Sequence, residues 1–466
     1  MRARQLLIKP VSAYCDLQCR YCFYKDVEKH RSGRTTARMS DDVMQAVVEK
    51  GLADVDICTF GFQGGEPLLA GLGFFQKFVE EVGRLKKSDQ KVLFTVQTNG
   101  WSVDERWADF FKKHEFLVGL SLDGVRKSHD SNRLGPCGEG TFEKVFASAC
   151  LLRDAGIPLN ILCVLNRQTT ERIEAIYRFL MRKGFFRQQY IPCLDPLDLS
   201  DPSISRGWVD VSESLDEFSL TPSMYENAIK KLFDLWVSDR MRGVPVYIRQ
   251  FENGLQVLRG KTPEACTMYG KCCMQNVIEV DGRVYPCDFY ALDEYCMGNI
   301  LETDFDTMLQ ESMEERVGSF FEDPTRRDDR CPDCRWYPLC RGGCRRECAQ
   351  DAEGRWKNRY CEANSHFFEY AIERLEWLAA RGAWEIIREI REATENITYF
   401  LWPFGLFCRG VWQGWRIWSA RDEMHTVAHA FRTIFQASSK MGAEFMNTFP
   451  AGFVMESGMG CMLILA

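Results

Sequence analysis

The strongest constraint in this sequence is the rhythm of its first 200 residues, where short apolar, β-branched runs alternate with amphipathic stretches of helical length. The runs Gln5–Val11, Val55–Gln63, Val92–Thr98, Phe116–Asp123, Ile157–Asn166 and Gln188–Leu194 read as strands. Between them, Asp41–Gly51, Phe74–Lys87, Asp104–Lys113, Thr141–Ala155 and Thr170–Lys183 carry helical patterning, with Asp104 and Thr141 placed as N-caps. Parallel strands need crossover connections, so six strands separated by helices predict an α/β fold with a parallel sheet or partial barrel. In such folds chemistry gathers on the loops that follow the carboxyl ends of the strands.

Composition becomes informative once those loops matter. The chain of 466 residues holds 21 Cys but only 6 His, so mixed Cys/His zinc sites cannot account for its thiols. A net charge of −7 without a long basic block argues against a general affinity for nucleic acid. The Leu6-Leu7-Ile8 run is too short for the apolar core of a signal peptide. The sequence therefore reads as cytoplasmic, where clustered cysteines more often bind metal than pair.

Beyond residue 200 the texture changes. A Pro/Ser/Asp-rich passage from Asp195 to Ser223 reads as a linker, and Met224–Arg240 as one helix. From Cys266 to Cys361 the elements are short and the cysteines many; Val277–Tyr285 reads as a hairpin with a type I′ turn at Asp281-Gly282. These shifts divide the chain into residues 1–200, 201–265, 266–375 and an extension over 376–466. The aromatic-rich stretch Ile397–Trp418 contains Pro403, Arg409 and Arg416, a poor membrane span, and is expected to pack on the body or be partly disordered.

Two cysteine constellations stand out. Cys15, Cys19 and Cys22 form C-x3-C-x2-C directly after the first strand. Three thiolates this close can wrap one compact metal centre and leave a coordination position open; a zinc site completed by His30 is the structural alternative. The second run comprises Cys266, Cys272 and Cys287, then Cys331, Cys334, Cys340, Cys344 and Cys361. Eight thiols suffice for two fully ligated four-iron clusters or for two zinc sites, and spacing alone does not divide them.

The first constellation, with Tyr21 as the aromatic residue before its last cysteine, resembles the signature of the radical S-adenosylmethionine (radical SAM) family. Gln63-Gly64-Gly65-Glu66-Pro67, at the end of the second strand, resembles the same family's motif for the methionyl amino group. The resemblance implies a partial (β/α)6 barrel in which Cys15, Cys19 and Cys22 hold a 4Fe–4S cluster whose open iron chelates SAM. It implies further SAM contacts at Tyr21, Gly65, Glu66, Ser121, Arg133 and Leu194. The second run resembles the SPASM extension, which implies two auxiliary 4Fe–4S clusters: one on Cys266, Cys272, Cys287 and Cys344, the other on Cys331, Cys334, Cys340 and Cys361.

The strings Tyr285-Pro286-Cys287-Asp288-Phe289-Tyr290, Phe62 through Gly71 and Leu194-Asp195-Pro196-Leu197 narrow the likeness, over about residues 5–375, to anaerobic sulfatase-maturating enzymes. That resemblance implies oxidation of a cysteine or serine of an unfolded sulfatase polypeptide to Cα-formylglycine. It also implies an external electron donor such as flavodoxin or ferredoxin, and Asp288 as the base that takes the substrate's proton.

Overall fold

The computed structural model describes residues 2–32, 38–198, 220–315, 320–321, 328, 330–350 and 353–401. The six expected strands are present as β1 (Ala3–Ile8), β2 (Ile57–Phe62), β3 (Lys91–Thr98), β4 (Leu117–Ser121), β5 (Leu159–Leu165) and β6 (Arg187–Pro192). They pair in parallel and in chain order, and β6 does not close on β1, so the sheet is an open one. Leu6, Leu7 and Ile8 are consecutive and all buried, the pattern of a strand covered on both faces. Behind β2, β3 and the start of β4, the rings of Phe60, Phe62, Phe75, Phe78 and Phe116 interlock at centroid separations of 4.7–6.5 Å. Each such buried ring contributes about 1.5–3 kcal/mol to folding.

The helices start where side chains can satisfy their first amides. Asp104 accepts from the amide of Trp107 at 3.0 Å and caps the helix Glu105–Lys113 as expected. Thr141 does precede the helix Phe142–Asp154, yet its hydroxyl makes no cap. It donates instead to the carbonyl of Arg133 at 2.7 Å, because a buried loop carbonyl there has greater need of a donor than an accessible helix end. The stretch from Thr170 is broken into Arg167–Thr170 and Ile173–Arg182, and Pro222–Met241 forms one helix around the expected Met224–Arg240.

The free edges of the six-stranded unit are both covered by later parts of the chain. Tyr247–Ile248 (β7) adds in parallel to β6. Val277–Ile278 (β8) adds in parallel to β1, with Leu7 opposite Val277 and Ile8 opposite Ile278. The hairpin is completed by Arg283–Tyr285 (β9) and extended by Gly298–Asn299 (β10). Its turn is not type I′: Gly282 takes φ +84° but Asp281 does not join it in the left-handed region. The amide of Gly282 donates to the carbonyl of Glu279 at 3.0 Å, making the three-residue loop that ends on a left-handed glycine. The cysteine-rich segment is thus stitched into the main sheet and does not rely on thiol ligation alone.

Among the described residues, those through Ala380 fall in one compact unit and those from Arg381 in a second. The aromatic stretch beyond Leu401 lies outside the described residues. Among the described residues no helix is long and apolar enough to cross a membrane.

Candidate active site

The loop after β1 carries Cys15, Cys19 and Cys22, and the helix Phe23–Lys29 begins immediately after them. Gly64 and Gly65, on the loop after β2, have φ +113° and +55°. A Cβ on Gly65 would lie 2.2 Å from the carbonyl oxygen of Tyr14, so glycine is required by the backbone of the cysteine loop itself. The amide of Glu66 then donates to that same oxygen at 2.9 Å. Burial pushes the Cys15 thiol up and that of Cys19 up to about 11, with the Arg133 guanidinium easing the latter. Thiols so placed become thiolates when a metal centre supplies the opposing charge.

One cavity of about 130 Å³ is lined by Cys15, Cys19 and Cys22 together with Tyr21, Gly65, Ser121, Arg133 and Leu194. Glu66 does not line it. Its carboxylate is fully buried, accepting from Thr98 Oγ1 at 2.8 Å, the Leu68 amide at 3.1 Å and the Asn99 amide at 2.7 Å. Burial raises this carboxyl to about 8 against those three donors. These contacts let Glu66 position the loop after β3, and Asn99 in turn holds Asp16 at 2.7 Å.

Asp123, just beyond β4, organises the cavity wall, a role its sequence position does not disclose. It accepts from Arg133 Nε at 3.1 Å and Nη2 at 3.3 Å, from the Val164 amide at 3.0 Å, and from the hydroxyl of Tyr21. Arg133 also lies over the Tyr21 ring, 5.4 Å from its centroid. Two residues of the expected SAM pocket are therefore locked by one buried carboxylate. Behind it His129, fully buried, accepts at Nδ1 from the Asp123 amide at 3.3 Å and meets Thr141 Oγ1 at 3.0 Å through Nε2.

Asp288 follows β9 and is buried. Its Oδ2 accepts from the Tyr24 hydroxyl at 2.6 Å and from Gln63 Nε2 at 3.1 Å, and Oδ1 lies 3.1 Å from Lys9 Nζ. Tyr24 and Gln63 both line the first cavity. Lys9 also pairs with Glu279 at 3.0 Å, and Glu279 with Arg31 and with Ser12 Oγ at 2.6 Å. Burial alone would raise Glu279, but Lys9 and Arg31 hold it at about 2. This buried charge network was not foreseen, because its members are scattered along the sequence and only the β1–β8 pairing brings them together.

Of the second constellation, Cys266, Cys272, Cys287, Cys340 and Cys344 line a larger cavity of about 300 Å³, while Cys331, Cys334 and Cys361 do not line it. Burial raises the Cys344 thiol, with Glu347 and the Cys287 and Cys272 thiols adding to the rise, and Cys266 lines the same cavity. Burial likewise raises Cys340 to about 12, with Cys361, Cys331 and Cys334 beside it. The electrostatic neighbours of Cys344 are thus Cys287 and Cys272, and those of Cys340 are Cys361, Cys331 and Cys334. The unassigned Cys348 is buried beside Cys344, its Sγ 3.4 Å from that residue's carbonyl oxygen. Ile191, Pro192, Leu194 and Phe289 line both cavities, so a substrate between them could face both centres. Among the described residues no three His, Cys, Asp or Glu side chains are drawn together tightly enough to hold a metal ion. Around Cys287 and Cys344, however, the Tyr290 hydroxyl and two nitrogens of Arg346 are buried donors without partners, a setting that suits a sulfide-rich anionic cluster.

Comparison with known proteins agrees with this geometry. The radical SAM superfamily pattern matches residues 10–180 and the SPASM iron–sulfur cluster-binding domain matches residues 266–335. A cysteine-type anaerobic sulfatase-maturating enzyme of Clostridium novyi is 39% identical over 381 residues, 81% of this chain and 98% of its own length. A serine-type enzyme of Bacteroides thetaiotaomicron is 26% identical, over 80% of this chain and 90% of that one. The solved structure of native anSMEcpe with bound AdoMet and Kp18Cys peptide superposes with a TM-score of 0.73 at 37% identity, covering 81% of this chain and 99% of that one. The chain is a radical SAM enzyme with a SPASM domain and belongs to the anaerobic sulfatase-maturating enzyme family.

Proposed function

We propose that this enzyme oxidises an active-site cysteine of an unfolded sulfatase polypeptide to Cα-formylglycine. Cysteine is favoured over serine because the cysteine-type relative is 39% identical and the serine-type relative 26%. Cys15, Cys19 and Cys22 fit a cluster with one open iron. Cys266, Cys272, Cys287 and Cys344 fit one auxiliary 4Fe–4S cluster, and Cys331, Cys334, Cys340 and Cys361 fit the other. When bound, SAM and its cluster supply the 5′-deoxyadenosyl radical that takes a Cβ hydrogen from the target residue, with flavodoxin or ferredoxin as the class of electron donor in the cytoplasm.

The chain's own residues do the rest. Tyr21, Ser121, Arg133, Leu194 and Gly65 shape the cofactor pocket, and Glu66 and Asp123 hold its walls in place. Asp288 takes the thiol proton as the substrate loses its electron, held for this by Tyr24 and Gln63, with the Lys9 ammonium balancing its charge. The observation that carries the reading is the placement of Asp288: next to Cys287 in sequence, yet hydrogen-bonded to two residues that line the SAM cavity.

The test is mass spectrometry of a sulfatase-motif peptide after anaerobic turnover with SAM and a reductant, in cysteine and serine versions. Aldehyde formation on the cysteine peptide supports the proposal. Formation of 5′-deoxyadenosine with no change in either peptide would point to a different peptide-modifying reaction.

A further inference from the structure

Arg346 is poorly satisfied by the contacts described so far. It lies in the short turn Arg345–Glu347, and its side chain has no solvent exposure. Nη2 donates to the carbonyl of Asp195 at 2.8 Å and stands 3.7 Å from Oδ2 of Asp26. Nε and Nη1 have no hydrogen-bond partner among the described residues. Asp26 is itself shared, since Oδ2 also accepts from the Leu197 amide at 2.8 Å.

The adjacent arginine shows the contrast. Arg345 donates to the Phe320 carbonyl and the Tyr295 hydroxyl, and it lies 4.6–5.6 Å from the ring centroids of Tyr290, Tyr295 and Phe320. Among the described residues Arg346 has no such ring contacts. A guanidinium stays protonated in proteins, and burying it with one long ion pair and two idle N–H edges is strongly unfavourable unless further negative charge is close by. Among the described residues, the acidic groups that act on it besides Asp26 include the Tyr290 phenol and the Cys344 and Cys287 thiols. Its own amide already donates to Cys344 Sγ at 3.4 Å. Among the described residues, the groups that can supply further negative charge to Arg346 are therefore on the cysteine side.

We propose that Arg346 raises the reduction potential of the auxiliary cluster on Cys266, Cys272, Cys287 and Cys344, so that this cluster accepts the substrate's electron. The inference rests on the ligand assignment made under Proposed function. Net charge and hydrogen bonds to sulfur set the potential of such clusters. A fixed cation favours the reduced form, which carries one more negative charge. In the step concerned, the substrate radical loses one electron to this cluster and one proton to Asp288, leaving the carbon–sulfur double bond of a thioaldehyde that water hydrolyses. Arg346 contributes only its charge and is a positioning residue, not a catalytic one.

The experiment is a potentiometric titration of the reconstituted holoenzyme followed by electron paramagnetic resonance, with iron and sulfide analysis of each sample. Arg346→Gln is expected to shift one midpoint negative, lowering the reduced-to-oxidised ratio at fixed potential about tenfold, which is 59 mV for one electron. Arg346→Lys, which keeps the charge, restores most of that shift. Asp26→Asn removes the carboxylate that partly neutralises Arg346 while keeping an acceptor for Leu197, and is expected to move the same midpoint the opposite way. Unchanged midpoints in a fully loaded Arg346→Gln enzyme overturn the proposal. If Arg346→Gln does not retain its iron, the Asp26→Asn result decides: a positive shift supports the role, and no shift or a negative one overturns it. A wild-type enzyme whose iron content leaves no auxiliary cluster on Cys287 and Cys344 removes the ligand assignment itself, a separate outcome.

Discussion

Lys9 Nζ stands 3.1 Å from Oδ1 of Asp288, although one residue closes β1 and the other follows the hairpin that pairs with it. Both are buried, and Lys9 is shared with Glu279 at 3.0 Å. Lys9→Met leaves Glu279 its pair with Arg31 but takes the paired ammonium from buried Asp288, and breaking a buried pair in this way destabilises by about 3–5 kcal/mol. A marked fall in Tm under anaerobic conditions is the expected result. In the fraction that stays folded, more 5′-deoxyadenosine should form per peptide oxidised, because the misplaced base fails after the hydrogen has been taken. An unchanged ratio would show that Lys9 acts on stability alone.

Asp288→Asn keeps the shape and the Tyr24 contact but cannot take a proton. General acid–base steps contribute about 10²–10⁴-fold, and peptide oxidation should fall by that order while iron content and SAM binding stay intact. Turnover comparable to wild type would remove Asp288 from the base role.

Gly65→Ala places a methyl group against the carbonyl of Tyr14 at a residue with φ +55°. The loop carrying Cys15, Cys19 and Cys22 must then move away. Loss of one cluster's worth of iron and of SAM cleavage is expected, with the auxiliary clusters retained. Full iron content would show that the loop adapts.

Burial lowers His129 to about 3 from its ordinary value of 6.5, and the Asp123 amide uses the Nδ1 lone pair that protonation would remove. Between those two values the unfolded chain binds the extra proton and the folded chain does not. His129 therefore contributes to acid lability: stability is lost as pH falls below about 6.5 and is fully retained above it. A substitution that cannot protonate, His129→Gln, should flatten the pH dependence of Tm in that window. An unaltered slope would assign the acid sensitivity to other groups.

Every proposed site residue lies before Arg381, where the second compact unit begins. Truncation after Ala380 should leave peptide oxidation within about twofold of the full chain, a change of under 0.5 kcal/mol in activation free energy. A larger loss would give the extension a part in substrate capture.

The strands were legible because buried parallel strands are written as continuous apolar runs, and Leu6-Leu7-Ile8 is such a run. The cysteines were legible because loop position and short spacing both restrict what three thiols can hold. Less was visible where function depends on partners distant in sequence. Nothing local to Lys9, Tyr24 or Gln63 announces Asp288, and nothing local to Asp123 announces Tyr21 and Arg133. Glu66 shows the converse: its motif was plain, but its contacts to Thr98, Leu68 and Asn99 needed the structure. The thiol groups around Cys344 and Cys340 likewise needed three dimensions, since Cys344 sits four residues from Cys340 yet neighbours Cys287.

The pairing of β8 with β1 has a consequence for the birth of the enzyme. During synthesis β1 can find β2 early, but its other edge has no partner until Val277 and Ile278 leave the ribosome. At about 5–20 residues per second that delay is roughly 15–50 s. Throughout it a nascent chain presents Leu6, Leu7 and Ile8 beside an unprotected row of amides and carbonyls, the arrangement most prone to pairing with another chain. The hairpin whose first strand, β8, ends this exposure also carries Asp288 just beyond its second strand, β9, so assembly of the active site and release from the risk of aggregation are coupled.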